Sequence, residues 1–334
     1  MRALVLPEPG SAALATVDDP APAPGEVVVA VGAAGICGTD LHLLAGSLPP
    51  AVYPLVPGHE VAGKVVATGR GATLVNEGQQ VAVDPSVFCG GCPQCRAGWP
   101  NLCANWGGMG ITRPGGLAEY VAVPASWCEP LPEDLPTTHG ALVEPLACAL
   151  HALDRAGAVI GRDTLVFGAG PMGCLLAALF RHAGARSVSV VDPQEGRLQV
   201  AERLGATATA PAVDGLTAPD GWHVVVDASG AVPAIEQALR VVRPAGRVVI
   251  VGVTPPDATA RFLPYELYAK EVTVVGSMAI LHSFGRARDV LTSGLFDPES
   301  LITHTFALDD VGTALDTMRQ GRGEKVLVLP GKAH

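Results

Sequence analysis

Hydrophobic positions in the first third of the chain come in short runs separated by glycine and proline. Glu26–Val31, Val61–Val66, Gln80–Val83 and Ala118–Val123 are each small or β-branched and bounded by turn formers. Such runs predict short strands, and many of them together predict a partly open barrel. From Thr137 the spacing changes. Leu142, Leu146, Ala149 and Leu153 recur at three and four residues, the period of a helix that buries one face, with Pro145 at its entry or at a kink. Beyond residue 163, apolar runs alternate with helical stretches. Thr164–Phe167, Ser187–Val191, Val224–Asp227, Val248–Val251 and Val272–Val275 read as strands, with helices over Cys174–Ala183 and Ala231–Val242 among the connections. This alternation predicts an α/β, doubly wound parallel sheet. Two amphipathic helices, near 284–293 and 309–319, and a strand at Lys325–Val328 complete the pattern.

Length and composition narrow the class. A chain of 334 residues predicts two domains, and 49% hydrophobic against 16% charged residues gives each a sizeable core. A formal net charge of -10 argues against nucleic acid and anionic membrane as partners. The apolar run Ala3–Leu6 is too short for a secretory signal, and no segment is long and apolar enough to span a bilayer. The expected location is therefore cytoplasmic. There, the eight cysteines are read as metal ligands or buried thiols before disulfides.

The alternating region carries a glycine-rich turn, Gly168-Ala169-Gly170-Pro171-Met172-Gly173, between a strand and a helix. Gly168 makes the tight turn, Gly170 admits a pyrophosphate against the backbone, and Gly173 lets the helix pack close. The helix N-terminus attracts the pyrophosphate charge. Asp192, ending the next strand, is placed for a ribose diol and would repel a 2′-phosphate, so NAD is favoured over NADP. Arg197 either stacks on adenine or is a solvated helix residue. The loops Ala228–Gly230, Val251–Val253 and Gly276–Met278, Ser277 among them, leave strand C-terminal ends and would face the same crevice.

Cys89, Cys92, Cys95 and Cys103 have Cys-x2-Cys-x2-Cys-x7-Cys spacing on a Gly/Pro-rich loop. Four thiolates can close a tetrahedral cage around a structural Zn²⁺. Two disulfides or an iron–sulfur cluster are the alternatives. The reducing compartment weakens the first, and no electron route is evident for the second. Further candidates are scattered. Cys37, Thr39, Asp40 and His42 place a thiol, a hydroxyl, a carboxylate and an imidazole within six residues. His59-Glu60 is either a strand-end pair or part of a metal site. Glu144, before Pro145 and flanked by apolar residues, is either a helix-entry residue or a ligand.

Taken in order, Cys37-Gly38-Thr39-Asp40, Gly58-His59-Glu60, the four-cysteine loop, Glu144-Pro145-Leu146 and the glycine-rich turn resemble the zinc-dependent medium-chain dehydrogenases of the polyol, sorbitol-type branch. The resemblance spans essentially the whole chain. It implies a GroES-like catalytic domain, residues 1–145 and 278–334, with a structural-zinc lobe at 89–103, and a Rossmann NAD-binding domain at 146–277. It implies catalytic zinc on Cys37, His59 and a carboxylate, with Glu60 and Glu144 both matching ligand positions. Charge counting favours one of the two in the inner shell at a time. It further implies NAD-linked oxidation of a secondary alcohol, with Thr39 taking the proton and His42 passing it on, and a homodimer or homotetramer. One departure stands out. The branch tends to carry an Arg-aromatic pair where this chain has Ala279-Ile280, followed by His282 and Phe284. That puts sorbitol in doubt and leaves other sugar alcohols, aminocyclitols or smaller secondary alcohols. The rival readings are a threonine or simple alcohol dehydrogenase, a non-catalytic NAD- and zinc-binding protein, and a zinc-ribbon nucleic-acid binder, the last poorly matched by the acidic balance.

Overall fold

The computed structural model describes residues 1–48 and 51–331. The chain forms two compact units. The first comprises Met1–Ala147, Ile280–Gly294 and Ile302 onward, and the second comprises Cys148–Ala279 with Leu295–Leu301. The expected boundaries at 145 and 278 thus lie two residues from the observed ones, and Leu295–Leu301 groups with the second unit rather than the first. The last three residues of the expected 278–334 segment lie outside the described residues. Among the described residues, no helix is long and apolar enough to cross a membrane.

The first unit is built on the long strand Glu26–Ile36. One of its edges pairs antiparallel with Glu60–Thr68. Its other edge is shared: residues 26–30 pair with Tyr120–Pro124, and residues 34–36 pair with Lys325–Leu329. The strands Gln80–Val83 and Cys128–Pro130 continue the sheet on one side, and Ile302–Ala307 on the other. Inward-facing Val27, Val29, Val31, Val61, Val65, Val81 and Val83 fill its core with Leu117, Val121 and Val326. β-Branched side chains suit such a pleated, buried surface. The Ala3–Leu6 run contributes the strand Arg2–Val5, paired with Ala13–Thr16.

The second unit is a six-stranded parallel sheet. Its spatial order is Ala208–Ala210, Ser187–Val191, Asp163–Phe167, Trp222–Asp227, Val242–Ile250, Thr273–Gly276. Numbered along the chain this is 3-2-1-4-5-6, the doubly wound order whose strand direction of growth reverses beside the first strand. The helix Pro171–His182 begins three residues earlier than the apolar run suggests, because proline is suited to a first helical position. Its residues Gly173 to Phe180 are all buried, as expected of a helix apolar around its circumference.

Candidate active site

Sheet register brings the first site together. Gly35 lies opposite Glu60, and Ile36 lies opposite Val326. Cys37 therefore leaves one strand where Glu60 enters its neighbour and Lys325 enters the other. One ligand atom from each of Cys37, His59 and Glu60 falls within 4.8 Å of the others. A Cβ on Gly35 would occupy the space of the Glu60 carboxylate, so glycine there is a condition of the site.

Asp40 staples the segments that carry these groups. It sits in the first turn of the helix Gly38–Ala45, almost wholly buried. Its Oδ2 accepts from Cys37 N at 2.9 Å, and its Oδ1 accepts from Gly58 N at 3.2 Å. Oδ1 also lies 3.8 Å from His59 Nδ1, a buried nitrogen with no hydrogen-bond partner. An Nδ1–H aimed at Asp40 leaves Nε2 for an ion, the usual carboxylate–histidine–metal arrangement. A thiol, an imidazole and a carboxylate converging in this way suit a zinc ion with an open fourth position.

The electrostatics are those of a crowded, largely buried pocket. Burial opposes a charge on His59, but Asp40, the Cys37 thiol and Glu144 outweigh it and hold the imidazole well above its usual pKa. Burial pushes the Asp40 carboxyl up, against the pull of His59 and its backbone donors. Lys325 is 2% exposed and forms an ion pair with Glu60 Oε2. Its ammonium also lies 3.4 Å from the carbonyl oxygen of Ile36. Burial works against its charge as well, but Glu60, Cys37 and Glu144 keep its pKa raised.

The remaining expected residues fall as follows. Thr39 Oγ1 is 3.7 Å from Cys37 Sγ. His42, one turn further along the same helix, is half-buried, with Nδ1 3.3 Å from Ser47 Oγ. Glu144 is buried in the first turn of the helix Val143–Ala156. Its charge reaches His59 and Lys325, but it is not part of the compact group of Cys37, His59 and Glu60. Ile280 and Phe284 are buried in the first unit, and His282 Nε2 is 3.0 Å from the Gly98 carbonyl oxygen. Ala279 and His282 both adopt positive φ, 50° and 51°, a strained backbone for side-chain-bearing residues.

The four-cysteine loop forms the second cluster. All four sulfurs lie within 4.8 Å of one another. Cys103 Sγ is 3.5 Å from Cys89 Sγ and 3.9 Å from Cys92 Sγ. Tetrahedral zinc with Zn–S bonds of about 2.3 Å requires S···S separations of about 3.8 Å. Backbone N–H groups of Cys89, Cys92, Cys95 and Asn105 point at the sulfurs, which favours thiolates. The N–H groups of Cys95 and Ala104 draw Cys92 down to about 6, while burial and the neighbouring thiols push Cys95 up to about 12. The loop's own disulfide alternative is not taken up: all four are free thiols.

In the second unit the glycine-rich turn has the required shape. Gly168 has φ +96°, and a Cβ on Gly173 would strike the Gly168 carbonyl. At Gly170 the nearest atom to an added Cβ is Arg197 Nη1, 3.9 Å away, so this face of the turn is open. Pro171 and Met172 start the helix. Asp192 is buried, its Oδ2 accepting from Ala169 N and its Oδ1 from Gln194 N, both at 2.9 Å. Arg197 Nη1 is 4.0 Å from Asp192 Oδ2. Asp227, raised by burial, accepts from Ser229 and Gly230 and fixes the loop Ala228–Gly230. Val251 and Gly252 hang from the Asp227 carbonyl, Ser277 from that of Ile250, and Val253 and Met278 are exposed.

Sequence reasoning named Asp40 without giving it a role, and missed Lys325. Asp40 was visible as a carboxylate beside Cys37, and its helix-start position three residues after Cys37 was the available signal. Lys325 opens an apolar strand and gave no local sign.

Comparison with known proteins agrees with this construction. Residues 23–133 match the alcohol dehydrogenase GroES-like domain, and residues 171–293 match the zinc-binding dehydrogenase family. D-arabinitol dehydrogenase 1 of Uromyces fabae is 32% identical over 99% of this chain and 97% of its own. An L-threonine 3-dehydrogenase of Anaeromyxobacter dehalogenans is 34% identical over 95% of each. A zinc-binding dehydrogenase of Sinorhizobium meliloti, solved bound to NADP, superposes with a TM-score of 0.95 at 35% identity, covering 98% of this chain and 99% of that one. With both domain families matched in order and relatives alike from end to end, the chain belongs to the zinc-binding alcohol dehydrogenase family and is an oxidoreductase.

Proposed function

We propose that this protein oxidises a secondary alcohol to the ketone with NAD, and that its substrate is a polyol, sugar alcohol or aminocyclitol. The observation that carries the reading is the meeting of Cys37, His59 and Glu60 within 4.8 Å, with the Thr39 hydroxyl 3.7 Å from the Cys37 sulfur. When bound, zinc supplies a Lewis acid that lowers the pKa of a substrate hydroxyl, and the nicotinamide accepts the hydride. Cys37 and His59 hold the ion, and Glu60 and Glu144 are the carboxylates available to it. Asp40 sets the His59 ring. Thr39 Oγ1 takes the substrate proton, and His42, one helical turn away, carries it toward solvent. The second zinc belongs to Cys89, Cys92, Cys95 and Cys103 and shapes the 89–103 lobe.

In the cofactor unit, the open face at Gly170 and the helix N-terminus at Pro171 take the pyrophosphate, and Asp192 takes the ribose diol. The Asp192 charge supports NAD over NADP. The D-arabinitol relative and Glu144-Pro145-Leu146 favour polyols, and the threonine dehydrogenase relative keeps a 3-hydroxy amino acid as the second reading. A cytoplasmic location and a homodimer or homotetramer accompany this reading. The strand Thr273–Gly276 is at the sheet edge with Val274 46% exposed, and supports pairing with a second copy.

The test is reduced-cofactor production from a panel of polyols, aminocyclitols, simple secondary alcohols and L-threonine, run with NAD and with NADP. Cys37→Ser should abolish turnover and leave NAD affinity nearly unchanged. Turnover surviving in that variant would remove the metal from the reaction.

A further inference from the structure

The first unit holds a cavity of about 320 Å³ that none of Cys37, His59, Glu60 and Glu144 lines. Asp84, Ser86 and Phe88, just beyond the strand Gln80–Val83, form one wall, and Trp127 and Glu129 form another. Trp106 comes from the chain leaving the four-cysteine loop, and Phe284 and Gly285 from the start of the helix Phe284–Thr292. Four aromatic rings thus surround one space in a chain with an aromatic content of only 4%, and Phe88 is left 50% exposed. The ionisable groups of the lining are Asp84, Glu129 and His282, and no lysine or arginine lines it among the described residues. Glu129 is matched from outside the cavity by Arg288. Asp84 has only Ser86, whose backbone N–H donates to Oδ1 at 2.9 Å. Burial pushes the Asp84 carboxyl up, and Ser86 only partly opposes it, as befits a carboxylate without a cation. His282 donates through Nε2 to the Gly98 carbonyl, which leaves Nδ1 as an acceptor.

We propose that this cavity is a second binding site, separate from the catalytic one, for a small organic ammonium ion. The nitrogen sits on Asp84, and the carbon body lies among Phe88, Trp106, Trp127 and Phe284. A positive charge gains from the carboxylate and from the ring faces together. A neutral or anionic guest would bury Asp84 without compensation. A bare divalent ion wants six or more oxygen ligands, which aromatic walls do not supply. The volume is at the lower end of the roughly 300–1,000 Å³ of small-molecule sites, so the guest is small.

The test is isothermal titration calorimetry of the intact protein with benzylammonium chloride, benzamide and sodium benzoate, which share a ring and differ in charge. One benzylammonium should bind per chain, and the other two should bind at least about tenfold more weakly. Asp84→Asn can still accept from Ser86 N but has no charge, and should weaken benzylammonium by about tenfold or more. Gly285→Leu should abolish binding by filling the space. A Cβ there meets the Glu129 carboxylate at an ordinary 3.7 Å, and leucine suits a helix. Both variants should oxidise alcohol normally when no amine is present. Should Asp84→Asn fail to fold, Gly285→Leu carries the comparison alone. Cys37→Ser should keep the binding, which separates the cavity from amine coordination at the proposed catalytic metal. Binding lost in Cys37→Ser and kept in Asp84→Asn would place the amine at that metal and overturn the second site. Equal binding of the three probes, or no binding of benzylammonium, would also overturn it.

Discussion

At the scale of single residues, the site depends on what is missing from Gly35 as much as on what Glu60 carries. Gly35→Ala places a methyl group where the carboxylate lies. Overpacking of this kind costs about 1–3 kcal/mol, and here the side chain that must yield is a proposed ligand. The variant should lose zinc from the Cys37 site and keep it at the four-cysteine loop, so that metal analysis falls from two ions per chain to one. A second residue-level prediction concerns acid. Arg186, Ser187 and His223 hold Asp163 down to about 2, against the pull of burial. Its folded pKa is depressed, so its contribution to stability is present above its ordinary value of 3.8 and is lost as pH falls through about 2. In Arg186→Ala, carbon-13 titration should find the Asp163 carboxyl back toward 3.8, and the second unit should unfold at a higher pH than in the parent. The pair is largely exposed on the Arg186 side, so its effect on stability at neutral pH should be small.

At the scale of elements, the difference between what could and could not be read from the chain is one of distance. The four-cysteine loop was legible because its ligands are close neighbours and their spacing is the geometry. The glycine-rich turn was legible for the same reason, strand, turn and helix being contiguous. Helix starts were shifted where the signal lay in a cap rather than in the apolar run, as at Pro171. The predicted helix from 309 likewise starts at Val311, because Leu308–Asp310 form a 3-10 turn first. Lys325 escaped notice because its work is done across strands, through the register that sets Gly35 against Glu60 and Ile36 against Val326. No local pattern records such a pairing. The edge strand Thr273–Gly276 belongs to this scale as well. Placing a charge on it with Val274→Lys should disfavour pairing with a second copy, and analytical ultracentrifugation should show a lower association state for the variant than for the parent.

At the scale of the whole molecule, the two clusters should part with metal differently. On the proposed reading, the thiolate cage would be closed by four sulfurs, and the Cys37 site would keep one position open. Stepwise chelation should therefore remove one zinc first, together with activity, while the fold and NAD binding persist. Removal of the second should lower the thermal midpoint by several degrees, because ion binding there is part of the folding free energy of the lobe. A single simultaneous loss, followed by atomic absorption and circular dichroism together, would contradict the division of labour between the clusters.

The strand Lys325–Leu329 has a consequence for biosynthesis. Lys325 and Ile36 meet although 289 residues separate them. As a nascent chain emerges from the ribosome, Cys37, His59 and Glu60 are exposed long before the lysine that pairs with Glu60 has been translated. The pocket cannot complete its Lys325–Glu60 ion pair until synthesis is nearly finished. On the zinc reading, loading at this centre should follow completion of the polypeptide, whereas the thiolate loop, encoded within fifteen consecutive codons, should capture its ion while translation is still under way.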